Sequence, residues 1–171
     1  LRDAKVRLFK SIKPLTKKDV VRGQFKGFLD EPGVKPDSKT ETYVALRLHI
    51  DSWRWADVPF YIRAGKSLPV TSTEVVVEMK QPPQQLFEDC HRDDRNYFRF
   101  QFNPNTIIAI GARAKKVGEE MIAEQIEMVA QHEEPDQMTA YERLIGDAMS
   151  GEAGLFARVD EVESAWEVVD P

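Results

Sequence analysis

Six short segments rich in β-branched and aromatic residues follow one another through this 171-residue chain, and they limit its fold more than any other feature. In residues 42–50, Val44, Leu46 and Leu48 alternate with small or charged residues. Because successive side chains of a strand point to opposite faces, this alternation predicts a strand with one buried face and one partly wet face. The same composition predicts strands at residues 20–25, 42–50, 60–64, 73–79, 96–102 and 106–114.

Segments with helical spacing frame these strands. Residues 3–12 predict a helix that stops before a proline, since proline disfavours helical geometry in the residue before it. Residues 138–149, with Asp136 available as an N-cap, and residues 158–169 carry apolar side chains at helical spacing. Residues 118–131 fit a helix or a strand equally. A lead helix, consecutive strands and closing helices predict the α+β class, with a large, mostly antiparallel sheet and helices on one face.

Length and composition bound the class of protein. A chain of 171 residues with 42% hydrophobic residues fits one soluble globular domain. Its longest charge-free stretch, residues 101–112, is well short of the ~20 apolar residues that a membrane helix needs. Cys90 is the single cysteine and cannot form an internal disulfide, which suits a reducing compartment. We therefore expect a cytoplasmic protein without a membrane partner.

Charge is distributed unevenly along the chain, although the formal total is only −5. Residues 1–26 carry nine Lys or Arg against two Asp or Glu, whereas residues 117–171 carry fifteen acids against two arginines. In the basic start the charges alternate with apolar residues, a pattern typical of a docked amphipathic element. Neither zinc-finger spacing nor an aromatic–basic string accompanies them, so we expect no nucleic-acid partner. We expect the basic start to lie near the acidic end or near a negatively charged ligand.

The sequence lacks the common signatures of nucleotide and metal sites. No G-x-G-x-x-G string follows a strand, and Gly65-Lys66-Ser67 has no glycine five positions before its own, as a P-loop requires. His49, His91 and His132 stand too far apart in sequence for one helix or loop to hold zinc with them. We therefore expect no cofactor-binding residue and no metal ligand in this chain.

Lys66 is the strongest single candidate for a binding residue. A strand that looks buried ends in Gly65-Lys66, where a residue without a Cβ allows a flexible turn. The turn presents an ammonium at the rim of the sheet, where it could meet a phosphate or sugar hydroxyls as a point charge. The simpler interpretation is that Lys66 only solvates a strand end, and spacing alone favours it.

Several strings together make the chain similar to a known family. The two most specific are V-P-F-Y-I-R-A-G-K at residues 58–66 and A-Y-E-R-L-I-G-D at residues 140–147. They occur together with L-R-D-A-K-V at residues 1–6, V-R-G-Q-F at residues 21–25 and L-F-A-R-V-D-E-V at residues 155–162. With these strings, in this order, the chain resembles the C-terminal domain of glucose-6-phosphate dehydrogenase.

The resemblance implies a single substrate and dimerisation domain over residues 1–171, with glucose 6-phosphate as the substrate and a homodimer formed through the sheet. In the full enzymes an N-terminal Rossmann domain binds NADP. An upstream histidine takes the C1 hydroxyl proton while hydride passes to nicotinamide, which yields 6-phosphogluconolactone at the entry of the pentose phosphate pathway. Both lie upstream of Leu1, so we expect a fragment that lacks its own N-terminal domain and is inactive alone. No metal is implied.

Lys66 is the one substrate-binding residue that the resemblance carries over, because it matches the lysine of the family's R-x-G-K string. The family usually has a second cation five residues later, where Thr71 stands. A hydroxyl supplies no charge, which leaves phosphate affinity and substrate identity open. Ala109 and Gly111 occupy positions that are aromatic and basic in members with a second, structural NADP, so we expect no such site. The alternative is a divergent, non-catalytic relative that uses the sheet for binding or regulation.

Overall fold

The computed structural model describes residues 2–84, 86–87, 95–132 and 138–170. Its helices are α1 (Arg2–Lys10), α2 (Ala140–Ser150) and α3 (Val159–Val169). Its strands are β1 (Val20–Gly23), β2 (Tyr43–His49), β3 (Pro59–Gly65), β4 (Thr73–Glu78), β5 (Tyr97–Asn103), β6 (Thr106–Lys115) and β7 (Ala123–His132). The chain divides into two compact units, Leu1–Leu68 with Met138–Pro171, and Pro69–Gln137.

The strands of the two units confirm the α+β class, and every neighbouring pair of strands in the described residues is antiparallel. They form two sheets, ordered β1-β2-β3 and β4-β5-β6-β7, and not the one large sheet expected from the sequence. After β3 the chain leaves the extended geometry, because Ser67 adopts a left-handed conformation, with φ of 53°. The consecutive strands β3 and β4 belong to different sheets.

In the first unit, β2 is the central strand and sets the register of its neighbours. Val44 of β2 lies opposite Arg22 of β1 and Ala64 of β3. Residues directly opposite one another in a sheet point to the same face, so these three side chains form one row across the sheet.

Helices α1 and α3 of this unit lie against each other. The ammonium of Lys5 is 3.3 Å from a carboxylate oxygen of Glu161, and the guanidinium of Arg158 is 2.8 Å from Asp3. The hydrogen bond from Arg158 holds the pKa of Asp3 below its ordinary value. These ion pairs confirm the expected proximity of the basic start to the acidic end.

Helix α2 begins at a capping box, in which the side chains of two residues three positions apart each accept a hydrogen bond from the backbone amide of the other. The Thr139 hydroxyl accepts from the Glu142 amide at 3.2 Å, and the Glu142 carboxylate accepts from the Thr139 amide at 2.8 Å. The cap is thus Thr139, whereas Asp136, named from the sequence, lies outside the described residues. The helix ends at Gly151, whose φ of 71° is one that glycine adopts without strain.

In the second unit, most of residues 118–131, whose sequence fits a helix or a strand equally, belong to strand β7. It pairs with β6 over ten residues, from Thr106 opposite His132 to Lys115 opposite Ala123. A helix would satisfy the same amides internally, but the long partner strand β6 offers a ladder along its whole length. The tertiary partner, and not the local pattern, therefore decides this element.

One face of the second sheet is apolar across all four strands. The register places two rows on this face, each with one residue per strand: Val75, Phe100, Ile108 and Ala130, and Val77, Phe98, Ile110 and Met128. Four of these side chains are about half exposed, with fractions of 50% for Val75, 47% for Val77, 50% for Ile108 and 59% for Met128. We call these eight residues the apolar face.

Candidate functional site

Lys66 follows directly after β3, next to Gly65, which lies close to Tyr43 and Thr42. Its amide donates to the Thr42 carbonyl at 2.8 Å and so extends the ladder beyond the strand. A Cβ built on Gly65 would lie 2.9 Å from Cδ2 of Tyr43 and 3.2 Å from the Thr42 carbonyl oxygen. Glycine at position 65 therefore permits the close approach that fixes where the Lys66 side chain begins.

Strand β3 ends at the rim of its sheet, as the sequence predicts, but the prediction that the strand is buried is wrong. Tyr61 is 74% exposed and Ile62 is 47% exposed. The physical reason is that β3 is an edge strand, which pairs with β2 alone among the described residues. Phe60 is better covered, through an edge-to-face contact with the Trp55 ring at a centroid distance of 5.2 Å.

A surface depression at this end of the first sheet has Lys66 in its wall. Its lining comes from all three strands and from the residues before β2: Arg22, Glu41, Thr42, Tyr43, Val44, Ala64, Gly65 and Lys66. Two cations and one carboxylate leave the lining with an excess of one positive charge. A concave surface with this charge suits an anionic ligand.

The two cations of the depression differ in what they contact. A guanidinium nitrogen of Arg22 lies 3.4 Å from a carboxylate oxygen of Glu41, and both side chains are about half exposed. Lys66 is also exposed, and its ammonium makes no ion pair or hydrogen bond with any residue that the structure describes. Lys66 can thus meet a ligand without first breaking a contact.

Side-chain hydrogen bonds hold the segment that carries Glu41 against the end of β1. The Gln24 amide donates to the carbonyls of Ser38 and Thr40, each at 2.9 Å, and the Phe25 amide donates to the Thr42 hydroxyl at 2.9 Å. Sequence reasoning missed this arrangement, because its members lie far apart along the chain. The signal that could reveal it is that β1 and β3 both pair with β2, which places the end of each strand level with Tyr43 at the same end of the sheet.

The remaining residues singled out from the sequence do not join this depression. Thr71 is exposed, precedes β4 and belongs to the other unit. His91 and Cys90 lie outside the described residues, and the part of the chain that the structure describes holds no group of three His, Cys, Asp or Glu side chains arranged for a metal ion. None of the described helices has the length and apolar character needed to cross a bilayer.

Ala109 and Gly111 lie beneath polar side chains on the face of the second sheet opposite the apolar face. Ala109 is fully buried, and the ring of Tyr97 lies so close to Gly111 that a Cβ there would overlap it. The Tyr97 hydroxyl donates to Glu127 at 2.8 Å, and Arg99 donates to both oxygens of the same carboxylate. The Tyr97 hydrogen bond, followed by that of Arg99, lowers the pKa of Glu127.

Solved structures of other proteins share this fold, and two of them illustrate the match. The crystal structure of glucose-6-phosphate 1-dehydrogenase from Mycobacterium avium matches with a TM-score of 0.87 and 35% identity, over 99% of this chain and 37% of that chain. A structure described as glucose-6-phosphate dehydrogenase in complex with its substrate glucose-6-phosphate matches with a TM-score of 0.80 and 30% identity, over 98% of this chain and 36% of that chain.

The sequence comparisons agree with the structural ones. Glucose-6-phosphate 1-dehydrogenase of Aggregatibacter actinomycetemcomitans is 40% identical over 188 residues, which cover 100% of this chain and 38% of that protein. The chain thus spans less than two fifths of the length of the relatives it matches. The family model described as "Glucose-6-phosphate dehydrogenase, C-terminal domain" matches residues 1–171. The chain therefore belongs to the family of glucose-6-phosphate dehydrogenase C-terminal domains.

Proposed function

We propose that this chain is the substrate-binding and dimerisation part of an NADP-dependent glucose-6-phosphate dehydrogenase of the cytoplasm, and that Lys66 binds the substrate's phosphate. One observation carries the proposal: in a chain of this family, an exposed Lys66 ammonium without a partner in the described residues extends from a closely held strand end into a depression with excess positive charge. One of the matching structures is described as a complex with glucose-6-phosphate, and this ligand carries the negative charge that the depression suits.

The proposed reaction is oxidation of glucose 6-phosphate at C1 to 6-phosphogluconolactone, with hydride transfer to NADP. The described residues contribute binding and orientation. An ammonium offers three N–H donors to phosphate oxygens and acts as a point charge, so Lys66 would fix one end of the sugar phosphate. A contact of this kind is made equally in the ground state and the transition state, so it lowers the Michaelis constant for the sugar phosphate.

We propose that the described residues do not hold NADP. A pyrophosphate is normally held by backbone amides at a glycine-rich turn between a strand and a helix, and the sequence contains no such string. On the second sheet, the Tyr97 ring covers Gly111, and Ala109 is fully buried. We therefore propose that NADP is bound by a separate N-terminal domain, as the length of the relatives outside the matched region allows.

A chimera tests the proposed activity. This chain would replace the matching segment of the Aggregatibacter enzyme, and NADP reduction would be followed with glucose 6-phosphate as substrate. We expect activity in the chimera, and a raised Michaelis constant when Lys66 is changed to alanine. Lys10→Ala is the matched control, because Lys10 is an exposed lysine of the same unit that does not line the depression. Equal Michaelis constants for the two variants would remove Lys66 from the site.

We propose that the homodimer forms through the apolar face of the second sheet. A contiguous apolar patch of this kind usually marks an interaction surface, and a second copy would cover it with an identical one. Val77→Lys should convert the dimer into monomers in sedimentation experiments. Val76 is the matched control, since it is equally exposed, at 47%, but points to the opposite face. Loss of the dimer in Val76→Lys with a retained dimer in Val77→Lys would assign the interface to the other face.

The alternative function is a non-catalytic relative that binds or regulates through its sheet. It is favoured by Thr71, which provides no charge where the family usually has a cation, and by the exposure of the apolar face. The chimera separates the two functions. Full activity contradicts the non-catalytic alternative, whereas a folded but inactive chimera supports it.

A further inference from the structure

Arg22 lines the same depression as Lys66, although the two residues are 44 positions apart in the sequence. The register explains how they meet. Arg22, Val44 and Ala64 form one row across the sheet, and Lys66 comes two residues after Ala64. The Thr42 carbonyl accepts from the Lys66 amide, and the Thr42 amide donates to the Gly23 carbonyl, so Lys66 lies at the end of the sheet where β1 also ends. Arg22 and Lys66 therefore line the depression from the same end of the sheet.

The ion pair between Arg22 and Glu41 leaves the guanidinium available. It consists of one contact at 3.4 Å between side chains that are 59% and 49% exposed. The pair between Arg99 and Glu127 shows the contrast: there, one guanidinium donates to both carboxylate oxygens, at 3.0 and 2.9 Å, and the side chains are only 23% and 29% exposed. A guanidinium held by one solvent-exposed contact can readily leave its carboxylate for a better acceptor, whereas a guanidinium in a bidentate and less exposed pair cannot.

A doubly charged phosphate monoester is a better acceptor than Glu41. It offers three strong acceptor oxygens and up to two negative charges, and a guanidinium can donate to two of those oxygens in parallel. Thr71 supplies no positive charge and lies in the other unit, so within the described residues of the first unit Arg22 is the cation that shares the depression with Lys66.

We infer that Arg22 is the second cation of the phosphate site and that Glu41 holds its guanidinium until the phosphate of the ligand takes the place of the carboxylate. The inference rests on the proposed function, since it assumes that Lys66 binds a sugar phosphate. Its particular content is that a residue of β1, not one five positions after Lys66, provides the second charge. Glu41 then opposes binding, because it competes for Arg22 and repels the anion.

Calorimetric titration of the 171-residue chain tests the inference, with glucose 6-phosphate, inorganic phosphate and glucose as ligands. The variants are Arg22→Gln, Arg22→Lys, Glu41→Gln and Lys66→Ala. Arg63→Gln is the matched control, because Arg63 is an exposed arginine that lies opposite Ala45, on the other face of the sheet. We expect both phosphates to bind and glucose not to bind.

The inference predicts opposite effects for the two members of the ion pair. Arg22→Gln should weaken phosphate binding about tenfold, the usual effect of losing one charge-assisted hydrogen bond, and Arg22→Lys should weaken it less. Glu41→Gln should tighten binding severalfold, and this gain cannot come from a misfolded variant. Arg63→Gln should leave binding unchanged.

Three results would overturn the inference. If Lys66→Ala weakens binding but Arg22→Gln and Glu41→Gln do not alter it, Arg22 is not part of the site, and the proposed function stands. If Glu41→Gln weakens binding, the carboxylate supports the site and does not compete with the ligand. If the unsubstituted chain binds neither phosphate, the inferred site does not exist, and the activity of the chimera decides separately on the proposed function.

Discussion

Replacing Gly111 by alanine should destabilise the second sheet. The added Cβ would overlap three atoms of the Tyr97 ring, of which Cδ1 would lie 2.8 Å away. The ring cannot move aside freely, because its hydroxyl is bonded to Glu127, and Arg99 holds that carboxylate from a second direction. Overpacking of this kind costs about 1–3 kcal/mol of unfolding free energy. Urea denaturation followed by circular dichroism would measure the loss.

The sign of the effect should reverse when the ring is removed. The φ angle of Gly111 lies outside the left-handed range, so alanine fits the backbone at this position. Glycine in a strand is about 0.5–1 kcal/mol less favourable than alanine, because it loses more freedom on folding. In a Tyr97→Ala background, Gly111→Ala should therefore stabilise the protein by about 0.5 kcal/mol.

Gly146→Ala serves as the control for the alanine substitution itself. No atom lies within 4 Å of a Cβ built at Gly146, which is in helix α2, so alanine there should stabilise by about 1 kcal/mol. The reasoning about Gly111 is refuted if its replacement by alanine is equally destabilising with and without the Tyr97 ring. It is also refuted if that replacement is neutral in the parent chain.

Three further predictions concern Glu127, the N-cap of α2 and Gly65. The Tyr97 hydroxyl lowers the pKa of Glu127 below its usual 4.5, so the stability from the ionised carboxylate is present above pH 4.5 and is lost as pH falls through the lower folded value. The melting-temperature gap between the parent and Glu127→Gln should therefore narrow as the pH falls below 4.5, and a gap that widens there contradicts this. Thr139→Ala should lower the free energy of unfolding by about 1 kcal/mol, and Thr139→Ser should lower it less, as measured by denaturation. Equal losses in the two variants would argue against the cap. Gly65→Ala should weaken glucose 6-phosphate binding in titrations, because the added Cβ would displace the backbone before Lys66. Gly23→Ala is the control, since no atom lies within 4 Å of a Cβ built on Gly23, and it should leave binding unchanged. Equal affinities of the two variants would show that the close approach at Gly65 is irrelevant to binding.

The local sequence pattern predicts most of the strands, but it fails where the conformation of a segment depends on a partner that is distant in the sequence. The alternation in residues 42–50 predicts the strand observed at Tyr43–His49, because the period of two is a property of the backbone itself. Residues 118–131 carry no decisive period, and their conformation follows from pairing with β6. The division into two sheets is equally invisible in sequence, because it depends on which strand edges meet.

The sequence predicts the position of Lys66 in the candidate site, but not the residues that surround it. Gly65-Lys66 marks a strand end in sequence, and the structure places Lys66 there. The approach of Arg22 and Glu41 to Lys66 depends on the register of three strands, which no local string encodes. The cap of α2 had a readable signal that the choice of Asp136 overlooked, since Thr139 and Glu142 form the T-x-x-E string of a capping box.

The proposed function depends above all on Lys66 holding the phosphate of glucose 6-phosphate. The decisive quantity is the Michaelis constant of the chimera with Lys66→Ala, measured against the unsubstituted chimera. Loss of one charge-assisted contact is worth about 1.5–3 kcal/mol, so we expect a rise of about tenfold or more. The value of kcat should change by less than about threefold, because the contact is present in the ground state and the transition state alike. An unchanged Michaelis constant would contradict this role for Lys66.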